Sequence, residues 1–175
     1  MLRVLPLLCL SLCLQAEIVD RLAITVGKQV ITELQLDEEI RVTAFLNHQS
    51  LSRDPETRRA AADRLIAQLL IQAEIQLSRY PSPTPEDIDQ YFEQIRTQFG
   101  SAQLLKAALG KYDLTESTLR AHLALQLTTL RFIEYRFRPD RGSSGSDGQV
   151  DEALDAWLKE SRRRVEIVYR DKSLE

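Results

Sequence analysis

Two histidines, two cysteines and several runs of like charge are the side chains of this sequence whose types could do chemistry. An imidazole holds a metal or relays a proton when a partner stands at fixed spacing, as in a His-Glu-x-x-His turn of helix. His48 and His122 have no such neighbour in sequence, and each reads as an ordinary surface or partly buried polar residue. Gly142-Ser143-Ser144-Gly145-Ser146 sets hydroxyls between glycines. A serine nucleophile needs Gly-x-Ser-x-Gly between a strand and a helix. This run misses the spacing and follows a helical pattern, so it reads as a linker. Gly27-Lys28 lacks the rest of a phosphate loop.

The acidic and basic runs have plain explanations too. Asp37, Glu38 and Glu39 are consecutive, and consecutive helical residues point in different directions. They do not converge on one ion; with Glu33 they favour the positive end of a helix. Glu86, Asp87 and Asp89 read the same way. Arg162-Arg163-Arg164 falls at a helix end, where cations are favoured for the mirror reason; a phosphate or acidic-partner patch is the alternative. No catalytic residue, metal or cofactor is expected.

The first residues read as an address. Met1-Leu2-Arg3 is a short positive start, Val4 to Leu14 is apolar, and Gln15-Ala16 offers cleavage before Glu17. These are the parts of a secretory signal peptide, residues 1–16. Val4 to Leu14 is too short for a membrane span, which needs about 20 residues. Cys9 and Cys13 both lie within it. Cleavage therefore removes every thiol, and with it any disulfide. Leu10-Ser11-Leu12-Cys13 only loosely resembles a lipobox, because Leu12 is large.

Removing that segment from the 175 residues leaves enough chain for one domain with a real core. The chain carries 23 Lys and Arg against 26 Asp and Glu. The cations are spread along it, so no basic patch argues for nucleic acid. No stable membrane span is expected.

The remaining pattern is mainly helical. Leu22, Ile24 and Val26 alternate with Ala23 and Thr25, Gly27-Lys28 interrupts, and Val30-Ile31 resumes: a hairpin. Thr32 with Gln35 forms a capping box for a helix from Glu33 to about Asn47. Asp54-Pro55 opens a long helix to Tyr80, with Ile66, Leu69, Leu70, Ala73, Leu77 and Tyr80 on one face. Pro81-Ser82-Pro83 ends it. Thr84-Pro85-Glu86 opens the next, with Ile88, Tyr91, Phe92, Ile95 and Phe99 inward. A short helix carries Leu104, Leu105 and Leu109. Thr115 caps a long helix to about Arg136, with Leu119, Leu123, Leu127, Leu130 and Ile133 near one face. Residues 139–149 read as a flexible linker. A helix from Val150 to Arg163 and a strand carrying Val165, Ile167 and Tyr169 close the chain. A lone strand is unstable, so the two ends of the mature chain are expected to pair in one small sheet. Residues 17–138 and 150–175 then complete one domain.

The order of these elements resembles the SurA family of periplasmic chaperones. The resemblance rests on Ile18 to Gly27 with Val30-Ile31-Thr32-Glu33, on Arg64-Leu65-Ile66 through Glu74, and on Pro85 to Asp89. Leu119 to Arg131, Leu154 to Lys159 and Val165-Glu166-Ile167 extend it over nearly the whole mature chain. It implies a SurA N-terminal/trigger-factor-C-like helical chaperone domain. Members of that family usually carry parvulin-type isomerase domains before the closing helix. Here the 139–149 linker stands in that place. The resemblance thus implies a periplasmic or otherwise extracytoplasmic holding chaperone without isomerase activity. Its partners would be unfolded client polypeptides, outer-membrane proteins among them. A structural module with one fixed partner is the alternative; a prolyl isomerase is a further one that the missing domain argues against. A homodimer is left open.

The broad apolar faces of the two long helices suggest a cradle for an extended client. Ile66, Leu70, Phe92, Phe99, Leu104, Leu123, Phe132 and Tyr135 are the candidate contacts; each has plain core as its competing reading.

Overall fold

The computed structural model describes residues 20–78, 80–138 and 147–174, with only the backbone of residue 147. The apolar N-terminal run, both cysteines, the Ala16–Glu17 cleavage point and residues 139–146 of the linker lie outside the described residues.

Strands β1 (Leu22–Val26) and β2 (Gln29–Thr32) form the hairpin. Val26 stands opposite Gln29, so the turn is two residues long. Such turns need positive φ, and Gly27 supplies it at φ 58°. Its amide donates to the Glu166 carbonyl at 2.8 Å, and an added Cβ would stand 3.2 Å from Val165. The positive φ favours glycine there, and a side chain would in addition press on Val165.

The expected meeting of the chain ends is present. β3 (Ile167–Tyr169) pairs antiparallel with β1, placing Ile24 opposite Tyr169 and Val26 opposite Ile167. The sheet order is β2-β1-β3. The simple alternation expected in β1 fails at its start. The register shifts between Leu22 and Ile24, so Ala23 and Ile24 are both buried while Leu22 is exposed. One extra residue in a strand does this.

Local capping sets the helix starts. The Thr32 hydroxyl accepts from the Gln35 amide while the Gln35 side chain accepts from the Thr32 amide, which begins α1 (Glu33–Leu46). Asp54 accepts from Thr57 at 2.8 Å to begin α2 (Pro55–Leu77). Thr84 and Asp87 cap α3 (Pro85–Gln98) reciprocally. Ser101 caps α4 (Ala102–Gly110), and Thr115 caps α5 (Glu116–Phe137). Each such bond satisfies an amide that the helix itself cannot. The last helix, α6 (Asp147–Arg164), starts three residues earlier than expected, so Asp147, Gly148 and Gln149 are helix and not linker. A single turn of 3-10 helix (Lys172–Leu174) follows β3.

The apolar faces close into two cores. One gathers the sheet, the first half of α1 and the front of α2: Ile24, Ile31, Leu36, Ile40, Ile66 and Leu70, with Trp157 and Leu158 of α6 against them. The other gathers the second half of α1 with α3, α4 and α5: Phe45, Phe92, Leu105, Leu109, Leu119 and Leu123. α1 contributes to both, so it is the spine of the molecule. At the far end of α5, Phe132 is enclosed by Tyr80, Phe137 and Trp157 at ring distances of 5.2, 5.9 and 5.0 Å. α2 outruns its cover. Its last buried residue is Ile71, and Leu77, expected inward, is 83% exposed.

Phe132 is fully buried. Cutting it to alanine should cost about 3–5 kcal/mol of stability, the usual range for a core aromatic. Urea denaturation followed by circular dichroism measures this. Binding of an unfolded client below the unfolding midpoint should be unchanged.

Candidate functional site

α1, the spine, carries an unusual passenger. Glu39 follows Leu36 by three positions and precedes Val42 by three, which puts it on the buried face. Its side chain is 4% exposed, and it is the one buried polar residue among those described. A carboxylate there must be paired. Arg64 Nε of α2 donates to Glu39 Oε1 at 2.7 Å, and the Thr43 hydroxyl donates to the same oxygen at 3.2 Å. Oε2 faces His122 Nδ1 of α5 at 3.5 Å. One side chain thus ties α1 to both long helices at the seam between the cores.

His122 is mostly buried, and burial is the largest influence on it. Loss of water pulls its pKa below the ordinary value of 6.5. Glu39 and Glu38 pull the other way, and Arg64 reinforces the lowering. We therefore treat His122 as neutral at pH 7, so its contact with Glu39 is polar and not an ion pair.

Space opens around this seam. A central cavity of about 600 Å³ is walled by α1, α2, α5 and α6, with Leu46, Ile71, Leu130, Leu154 and Leu158 as its apolar surface. A sheet-side cavity of about 190 Å³ shares Glu39, Gln68 and His122 with it. A far cavity of about 320 Å³ shares Leu46, Asn47, Tyr91 and Gln126. Shared walls place the central cavity between the other two. The series follows α1, from Gln35 in the sheet-side cavity to Leu46 in the far one. That is about 17 Å at 1.5 Å per residue, room for about five residues of extended chain. Side-chain amides recur along it: Gln35, Gln68 and Gln72, then Gln126 and Asn47, then Gln94 and Gln98. Each carries a donor and an acceptor, which is the pattern of a peptide bond.

The eight expected contact residues separate by place. Ile66, Leu70, Phe92, Leu123 and Phe132 are buried in the interior, where they hold the helices together. Phe99 is half-buried, stacks on Phe45 at 5.5 Å and lines the far cavity. Leu104 is 60% exposed on α4, and Tyr135 is 62% exposed beside Tyr80; neither lines the three cavities. Most residues that wall the space are not among those eight: the glutamines, Glu39, Arg64 and Tyr91. A charge at i+3 from Leu36 on an otherwise apolar face was the available signal.

The charged runs only partly follow the helix-end reading: Glu33, Glu86 and Asp87 lie in first turns and Arg162–Arg164 in a last turn, while Asp37, Glu38, Glu39 and Asp89 lie further along their helices. Asp37 pairs with Arg41 and Arg53 at 3.0 and 2.5 Å, while Glu38 stays exposed. Asp87 meets Arg131 at 2.5 Å, and Asp89 meets Arg120. Arg162 reaches Asp63 of α2 at 2.9 Å; Arg163 and Arg164 pair with Glu160. His48 lies at positive φ, just past α1, beside the far cavity. Among the described residues no three His, Cys, Asp or Glu side chains gather as a metal site, and no helix is long and apolar enough to cross a membrane.

The lowered pKa of His122 has a consequence for stability. Below about pH 6.5 the unfolded chain takes up a proton that the folded chain refuses, so folding stability falls as pH drops from about 6.5 through the folded value. Asp37, Asp54, Asp87 and Asp171 all have pKa values lowered from 3.8, so their contributions are lost only at more acid pH. The urea midpoint should therefore decline between pH 7 and pH 5, and His122→Gln should flatten that decline. An unaltered slope in the variant would assign it to another group.

Compared with known proteins, the chain matches no family model and no curated sequence.

Proposed function

We propose that the chain is an extracytoplasmic holding chaperone of the SurA type, without isomerase activity. In this reading it binds extended segments of exported polypeptides and releases them unchanged. The observation that carries the reading is the series of three adjoining cavities along α1, lined by apolar side chains and amides together.

Physical reasons connect that lining to the task. An unfolded segment offers apolar side chains and unpaired peptide groups at once. The apolar walls gain roughly 1.5–3 kcal/mol for each such side chain fully buried. The amides can satisfy the peptide groups without reading their sequence. Ordering the client takes back several kcal/mol. Binding in the micromolar range follows, and that suits a holder working without a nucleotide cycle. The signal-like first residues and the short run between α5 and α6, where the family's isomerase would stand, support the compartment and the absent activity.

The test is suppression of aggregation by the chain beginning at Glu17. It would be mixed with several unrelated unfolded proteins, an outer-membrane barrel protein included, beside an isomerisation assay on a proline peptide. Protection of many clients with no isomerisation is expected. Protection of a single client would point to one dedicated partner instead, and protection of none would overturn the proposal.

A further inference from the structure

His122 stands where the space along α1 divides. It follows the fully buried Leu119 by three positions on α5, which turns it inward. Its side chain is 10% exposed, and it lines both the central and the sheet-side cavity. A segment held in either cavity would therefore lie against it.

The charges around it are already committed to other partners. Among the described residues, those lining the two cavities are Glu38 and Glu39 of α1 and Arg64 of α2; the other titratable group there is the Tyr91 phenol of α3. α6 and β2 present hydrocarbon, through Leu154, Leu158 and Val30. On α5 itself, Arg120 is held by Asp89 of α3. Arg64 donates to Glu39 at 2.7 Å, so that carboxylate is matched without the histidine. His122 Nδ1 stands 3.5 Å from Glu39 Oε2, beyond the usual length of an N–H to O bond. Glu38 is exposed to water, which weakens its pull. An imidazolium here is thus a second cation beside one buried carboxylate, and it depends on solvent reaching it through the open cavities.

A bound apolar segment takes that solvent away. It brings dipoles and hydrocarbon but no negative charge, so a filled cavity disfavours the imidazolium further. Burial already holds the imidazole below its ordinary 6.5, opposed by Glu39, reinforced by Arg64 and opposed again by Glu38. Filling the cavity adds to the largest of these influences. His122 then takes up a proton more readily in the empty protein than in the filled one. Affinity is complete above the empty protein's value and declines as pH falls through it, toward the still lower value of the filled site.

We infer that His122 is an acid-sensitive release switch: its protonation, on the wall shared by the central and sheet-side cavities, expels a bound apolar segment. The inference rests on the proposed peptide-holding role and supplies that role with a means of release that needs no nucleotide.

Two measurements test it. The first is fluorescence anisotropy with the chain and an end-blocked peptide of alternating leucine and serine, which has no titrating group, carrying a dye insensitive to pH. Kd is followed from about pH 8 down to the first loss of helical circular dichroism. It should be constant at the start and rise by about threefold or more before unfolding begins, with a limiting slope of about tenfold per pH unit for one proton. The Kd of His122→Gln, whatever its starting value, should not change on acidification. The second measurement is calorimetry of the unaltered chain in two buffers of different ionisation enthalpy. Binding should release part of a proton at the acid end of the range and none near its start; if the variant fails to fold, this result decides alone. A Kd independent of pH, or tighter binding in acid, would overturn the switch and leave the holding role standing. So would a rise in Kd undiminished in His122→Gln, which assigns the proton to another group. Absence of peptide binding at every pH would overturn both.

Discussion

The structure turns on one buried carboxylate. Moving a charge out of water costs several kcal/mol even after relaxation, and Glu39 bears that cost at the seam between two hydrophobic cores. Arg64 and Thr43 offset it through one oxygen. Loss of one partner from such a pair strands the other, which is why a buried pair constrains geometry more than it stabilises. Here the constraint is that α1, α2 and α5 cannot slide freely past each other. A polar seam cannot pack as hydrocarbon does, and Glu39 lines two of the three cavities.

The sheet bears on the same arrangement from the other end. β1 is paired on both sides, so the chain's first described strand and its last are locked together. Arg58 strengthens the lock, meeting Glu33 at 3.0 Å and Asp171 at 2.6 Å. That triad joins the starts of α1 and α2 to the segment after β3. With its N-terminal end fixed at the sheet and its C-terminal end held in the second core by Phe45, α1 forms a rigid rail along which the space is arranged.

Much of this frame is legible in sequence because it is set locally. Thr32, Asp54, Thr84 and Thr115 announce helix starts through bonds spanning three residues. Gly27-Lys28 announces its turn. Pairing of the chain ends follows from a lone strand having nowhere else to go. What periodicity cannot show is how far a neighbour covers a face. Leu77 and Leu130 sit on apolar stripes of α2 and α5, yet α2 outruns its cover and Leu130 borders the central cavity. The same limit mixed interior residues such as Ile66 and Leu123 with accessible ones such as Tyr135 in one list of contacts. Glu39 was hidden for another reason. Beside Asp37 and Glu38 it reads as one of several acids favouring the positive end of the helix, and only its spacing from Leu36 and Val42 gives it away.

The central claim is that an extended polypeptide lies along the cavities and not on the other exposed apolar side chains. Photo-crosslinking tests it most directly. A photoreactive residue placed at Leu130, on the central cavity, would be compared with one at Leu104, exposed on α4 away from all three cavities. Both variants would be irradiated with the same unfolded client. The account predicts crosslinks from position 130 that competing apolar peptide removes, and few from position 104. Equal crosslinking from both positions, or crosslinking from 104 alone, would contradict it.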